Sequence, residues 1–291
     1  MALKHQLDLQ RRSFLKGFRN PLQNENNLFF DDPVFWVDPK ATDEDRVVWS
    51  FLVAGLTYGR VEQIKMGILN LERRLAPLGL RHGGSNLCEV LKNNQTMDLF
   101  KQIKGWRHRL NTDQDILQVF SVLQSILKSH DSFSFFIKNF FLTSPNFVEG
   151  CDKASRAFRA FGETQIFRSK KQKKWSGTGL SWFFPTPKDG GTCKRLMMWF
   201  RWLTRKDPWE IGVWAGKEWI QPKDLFVPLD THILQWALKN ALVKTKTANW
   251  KTVEKITAVF RELSPHDPLI YDYTLCHSGM AEFRSGIKKS Q

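Results

Sequence analysis

Apolar residues recur along most of this chain at intervals of three and four, the period of a helix with one buried face. The stretch TDEDRVVWSFLVAGL opens with Thr-x-x-Asp at Thr42 and Asp45, a capping pattern, and then runs apolar to Leu56. A second helix is expected from Arg60 to Leu75, stopped by Pro77 and Gly79. The capping pattern returns at Thr112 and Asp115, after which Ile116, Phe120, Leu123 and Leu127 share one face. Further helices are expected from Ser132 to Leu142, Lys194 to Arg205, Thr231 to Leu242, Trp250 to Leu263 and Pro268 to Ser278. Strand-like alternation is scarce, and no glycine-rich loop follows a strand, which argues against a dinucleotide-binding or P-loop fold. The pattern predicts an all-α fold, one helical unit over residues 1–291 without a linker or a fixed-period repeat.

Composition narrows this picture. With 42% apolar and 25% charged residues the chain can bury one large or two small cores, so disorder is set aside. No run of eighteen apolar residues occurs, and the N-terminal MALKHQLDLQRRSFLKGF lacks an h-region, so no membrane span and a cytoplasmic location are expected. Cys88, Cys151, Cys193 and Cys276 are scattered, a spacing that suits neither zinc nor an iron-sulfur cluster. The expectation is free thiols, no metal and no cofactor.

Charge changes the picture most. Forty-four Lys and Arg against twenty-nine Asp and Glu leave +15, which makes polyanions the natural partners. From Lys153 to Lys174 there are eight basic residues and one acidic, with Phe158, Phe161 and Phe167 interleaved. Such a stretch can follow a nucleic-acid backbone and offer rings for stacking, with Lys170, Lys171, Lys173 and Lys174 as its cations, or it can be a solvated surface segment. A basic loop region is expected over 153–191.

Next comes GGTCKRLMMWFRWLTR. Gly190 and Gly191 permit a tight turn, and with Thr192 they lead into a helix whose free N–H groups suit a phosphate. Leu196, Trp199, Phe200 and Leu203 form the apolar stripe, while Lys194, Met198, Arg201 and Arg205 fall on another face, read as basic and open to nucleic acid. Arg195 adds to that charge. An amine near a helix N-terminus and among cations has its ammonium form disfavoured, so Lys194 is a candidate nucleophile, or else an ordinary surface lysine. Further on, LFVPLDTHILQWALKNAL places Asp230 at the mouth of a helix, where an aspartate caps free N–H groups; a capping role and a chemical role both stand. His232, two residues on, suits a supporting or capping role.

GGTCKRLMMW followed by VPLDTHI resembles the core of the helix-hairpin-helix DNA glycosylase superfamily, which includes endonuclease III and the adenine and 8-oxoguanine glycosylases. That resemblance covers about Asp43 to Ser278 and implies a two-lobed helical fold with an active-site cleft between the lobes over 43–278. It also implies a Schiff-base lysine and an essential aspartate at positions matched by Lys194 and Asp230. The stretch FLVAGLTYGRVEQIKMGILNL resembles the helix pair that opens the family core, with Tyr58-Gly59-Arg60 where glutamine is usual. The hairpin lacks the usual Leu-Pro-Gly-Val-Gly string. The thirty-six residues from Lys194 to Asp230 are a long connection, as in the archaeal 8-oxoguanine glycosylases, the nearest enzymatic branch. KRLMMWFRWLTR, VPLDTH and DPLIYDYTL are also similar to a bacterial domain-of-unknown-function family.

The resemblance implies a base-excision glycosylase with lyase activity acting on duplex DNA with a damaged base, as a monomer. It also implies a base pocket, for which Tyr58, His232, Asp267 and Tyr271 are candidates; Asp267 before Pro268 equally suits a helix cap. Two other classes stay open: a non-catalytic nucleic-acid-binding relative, and an adaptor for acidic partners or anionic lipid.

Overall fold

The computed structural model describes residues 2–17, 32–130, 132–166 and 178–276. Among these the chain is mostly helical, with thirteen α-helical segments, several 3₁₀ turns and one pair of two-residue strands. Helix α1 (Ala2–Gly17) precedes α2 (Asp43–Leu56), α3 (Val61–Leu75), α4 (Leu87–Asn93) and α5 (Thr96–Ile103). Strands β1 (Arg107–His108) and β2 (Asn111–Thr112) form an antiparallel hairpin before α6 (Asp113–His130). Then come α7 (Phe133–Leu142), α8 (Phe147–Ile166), α9 (Thr178–Phe183), α10 (Lys194–Thr204), α11 (Thr231–Lys239) and α12 (Trp250–Leu263).

The capping patterns act as expected. The Thr42 hydroxyl accepts from the Asp45 N–H at 3.1 Å and donates to Asp45 Oδ2 at 2.8 Å. Asp45 also accepts from the N–H groups of Asn86 and Cys88, so one carboxylate starts α2 and anchors α4. At α6 the Thr112 N–H donates to Asp115 Oδ2 at 2.8 Å. Ser132 caps α7 by accepting from the Phe135 N–H.

Helix α2 is the axis of the molecule. Every residue from Val47 to Leu56 is buried, and α3, α4, α7, α9 and α10 pack around it. Phe51 makes edge-on contacts with Phe133, Phe158, Phe184 and Trp199 at ring-centroid distances of 5.1–5.9 Å. Contacts of this kind stabilise by about 0.5–1.5 kcal/mol each beyond their area. Gly84 lies over the same core with φ +82, where a Cβ would sit 2.0 Å from Trp49 Cγ, so only glycine fits. Most of the buried apolar side chains form one continuous cluster, α11 and α12 included.

The basic loop expected over 153–191 is corrected at both ends. Residues 153–166 continue α8, whose Phe158 and Ala154 are fully buried against α6 and α7, so packing rather than charge decided that segment. Residues 178–183 form α9, and a 3₁₀ turn at Pro187–Asp189 follows. Lys170, Lys171, Lys173, Lys174 and Phe167 lie outside the described residues. At the C-terminal end, residues 272–276 are helical.

Candidate functional site

Two turns bring Lys194 to the start of α10. Gly190 takes φ +81 after the 3₁₀ turn, and Cys193 takes φ +50, a left-handed conformation that costs a non-glycine residue about 1–2 kcal/mol. The Trp250 N–H at the start of α12 donates to Gly190 O at 2.9 Å and ties the turn down. Gly190 and Gly191 are exposed, and a Cβ on either meets nothing within 4 Å.

Asp230 arrives by an extended run. The Val227 N–H donates to Thr257 Oγ1 on α12 at 3.1 Å, which aligns residues 225–229 along that helix, and Pro228 keeps the run from becoming helical early. Asp230 is the N-cap of α11: its Oδ1 accepts from the Ile233 N–H at 2.8 Å. Its other oxygen faces Lys194. The Nζ–Oδ2 distance is 3.7 Å, an ion-pair contact longer than a hydrogen bond, with the lysine side chain 37% and the aspartate side chain 9% exposed. Thirty-six residues apart in sequence, the two groups share one site, and Asp230 caps with one oxygen while it offers the other.

Cys276, which sequence reasoning left among the scattered thiols, completes this group. Its Sγ donates to Asp230 Oδ2 at 3.2 Å. Burial first, then the charge of Asp230, hold the thiol well above its ordinary value, so it acts as a protonated donor rather than a thiolate.

Arg195 points elsewhere, towards the C-terminal end of α2. Its guanidinium lies 3.6 Å from the Trp182 ring centroid, and Nη1 donates to Gly55 O at 3.0 Å. Burial lowers it to about 10, so it stays a cation at neutral pH. Tyr58 borders the same stack, 5.6 Å below that guanidinium. The Tyr58 hydroxyl is 2.7 Å from His108 O and 2.8 Å from Asn111 Oδ1, and accepts from the N–H groups of Leu110 and Asn111. Tyr58 therefore fixes the β1–β2 hairpin, whose tip holds Leu110, 73% exposed next to the exposed Arg109, with the exposed Arg107 on β1. Two-residue strands carry no readable alternation, so nothing in the sequence announced this hairpin.

Arg201 and Arg205 require a correction. Expected on an open basic face, they are 5% and 2% exposed, because α10 is buried from Leu196 to Thr204 on every side. Arg201 reaches Asp272 at 2.5 Å and Glu210 at 3.2 Å. Arg205 reaches Glu210 at 3.0 Å, Asp207 at 2.6 Å and Asp267 at 2.9 Å. Burial pushes Glu210 up to about 7 against the pull of both arginines. Asp267 and Tyr271 are likewise committed away from a base pocket. Asp267 holds Arg205 and caps Leu269, and the Tyr271 hydroxyl donates to Asp8 of α1 at 2.5 Å. Thr192 is half-buried in the turn before α10, and His232 is half-buried in the first turn of α11.

Two open cavities of about 430 and 350 Å³ lie beside α5–α6 and beside Arg205, and neither is lined by Lys194 or Asp230. Proximity of reactive groups, not cavity size, therefore marks the candidate site. Among the described residues no cluster of three His, Cys, Asp or Glu stands where a metal ion would be held, and no helix is long and apolar enough to cross a membrane. No curated protein and no solved structure matches the chain. Residues 32–281 match the family described as Protein of unknown function (DUF2400), and the chain belongs to that family.

Proposed function

We propose that this protein is a DNA base-excision glycosylase with lyase activity, of helix-hairpin-helix type, acting through Lys194 and Asp230. The observation that carries this reading is the 3.7 Å approach of a half-exposed amine to a nearly buried carboxylate, in the order and helical setting of that superfamily. An amine attacks carbon only after losing its proton, and Asp230 Oδ2 is an acceptor within reach. The Nζ lone pair then bonds to C1′ as the glycosidic bond breaks and the base departs with that electron pair, taking up a proton. Positive charge develops on the sugar at this point, and the carboxylate stabilises it. Ring opening yields an imine, from which loss of a C2′ proton expels the 3′ phosphate. Borohydride reduces the imine to a stable amine, so a covalent protein–oligonucleotide adduct is the direct test. Wild-type protein that forms no adduct across oxidised, alkylated, deaminated and abasic substrates overturns the lyase claim.

The surface around the site suits a duplex. Leu110 at the tip of a cation-flanked hairpin is an apolar group of the kind that parts stacked bases. Leu110→Ala is expected to lower excision from duplex about tenfold, ~1.4 kcal/mol in the barrier, while leaving thermal stability near wild type. Equal single-turnover rates for variant and wild type would remove Leu110 from this role. With +15 overall, duplex binding is also expected to fall steeply with salt, the log–log slope changing by about 0.9 per phosphate contact. Affinity that is flat between low and physiological salt would count against the nucleic-acid reading.

A further inference from the structure

Among the described residues Arg195 is a half-buried cation without a counter-ion. The two arginines further along α10 each hold carboxylates, whereas the charges that favour the Arg195 cation are those of Tyr58 and Cys193, both ordinarily neutral groups. Its position is nonetheless defined. Trp182 covers one face of the guanidinium at 3.6 Å, and Arg195 Nη1 and Trp182 Nε1 both donate to Gly55 O, at 3.0 and 3.2 Å. Among the described residues the remaining edge, Nε and Nη2, makes no hydrogen bond, and neither atom is shut off from solvent. A cation withdrawn from water and left unpaired carries a free-energy cost that an incoming acceptor relieves. The free edge is a fork of two parallel N–H groups, a shape matched by two adjacent acceptors and not by one.

We propose that the Nε–Nη2 edge of Arg195 binds a pair of adjacent acceptors on a nucleic-acid strand, either two oxygens of one phosphate or the O6 and N7 atoms of a guanine. This rests on the nucleic-acid reading of the site and names the chemistry that one of its walls recognises. Arg195 directly follows Lys194 in the first turn of α10, so the fork and the amine belong to the same end of that helix although their side chains point to different neighbours. The Arg109 guanidinium, 5.7 Å from the centroid of the same Tyr58 ring, adds positive potential nearby. The fixed plane matters as much as the charge, because a fork held by stacking loses little freedom when the acceptors arrive.

The test couples protein and nucleic acid. Dissociation constants are measured for wild type and Arg195→Lys at one salt concentration, with thermal melting to check the fold. The duplexes are unmodified, carry 7-deazaguanine at single guanines, or carry a methylphosphonate at single phosphates. The lysine keeps the charge but has no fork. Arg195→Lys is expected to weaken binding of the unmodified duplex about tenfold. One modification is expected to weaken wild-type binding by a similar factor and to leave the variant almost unaffected. Coupling to 7-deazaguanine identifies the base edge as the ligand, and coupling to a methylphosphonate identifies the phosphate. No coupling at any position overturns the proposal, even if the protein binds duplex and forms the Lys194 adduct. Wild type that binds none of the duplexes overturns this proposal and the functional reading together. Wild type that shows the coupling but never forms the adduct leaves a recognition site without lyase chemistry. Should Arg195→Lys melt far below wild type, the wild-type comparison of modified duplexes still decides, since loss of affinity at no single modification overturns the fork.

Discussion

Asp230→Asn is expected to abolish base excision while the protein still folds and binds duplex DNA. Asparagine is nearly isosteric and caps a helix about as well as aspartate, so the Ile233 N–H keeps an acceptor and stability falls by only a fraction of the ~1 kcal/mol typical of a cap. The charge facing Lys194 is lost, and with it the base for the amine and the anion beside the developing cation on the sugar. Removing a group of this kind typically lowers rates by roughly 100–1000-fold. Lys194→Gln is expected to eliminate the borohydride-trapped adduct altogether, since only an amine forms the imine. Single-turnover excision and trapping on damaged and abasic duplexes, read beside thermal melting, check both variants. An Asp230→Asn protein that excises at the wild-type rate would make Asp230 a cap and nothing more.

Arg205→Met is expected to produce the largest loss of stability. Methionine fills much of the same space, but Asp267, Asp207 and Glu210 each lose a partner inside the protein. Removing one member of a buried ionic group costs up to about 3–5 kcal/mol, because the charges left behind lose part of their compensation, with only Arg201 left for Glu210, Arg11 for Asp207 and partial exposure to water for Asp267. For a chain of this size that corresponds to a melting temperature lower by roughly 5–8 °C. The loss should also depend on pH, with a sign that follows from Glu210. Burial raises this acid from 4.5 to about 7, so between those values the folded chain holds a proton that the unfolded chain has released. Its contribution to stability is greatest below pH 4.5 and is lost as pH rises through 7. With Arg205 gone, one of the two charges opposing that rise is absent, so the fall over this interval should steepen. Melting curves at pH 5 and pH 8 with equal deficits for the variant would contradict this account.

Much of the helical framework was legible from residue order. The spans at 43–56, 61–75, 113–130, 133–142, 194–204, 231–239 and 250–263 follow from apolar periodicity, from the capping patterns at Thr42 and Thr112 and from the cap at Asp230. Others were not legible. The first part of 153–191 reads as basic and therefore exposed, yet Phe158 and Ala154 make it a packed helix. The short α4, α5 and α9 have too few turns to display a period.

The candidate site divides in the same way. That Asp230 would cap a helix is a local matter of a side chain reaching a nearby N–H group, and that Lys194 would open one follows from two glycines ahead of an apolar stripe; residue order alone determined both. That Cys276 donates to Asp230, and that Lys194 lies within 3.7 Å of it, depends on the path of the chain between positions 36 and 46 residues apart. Only the tertiary structure decided which cations face solvent. Arg195, Arg201 and Arg205 all lie off the apolar stripe of a helical wheel, but other segments bring carboxylates to the last two and an indole to the first. Periodicity reports which face of a helix is apolar; whether a charge on the other face meets water or a buried counter-ion is set by segments distant in sequence.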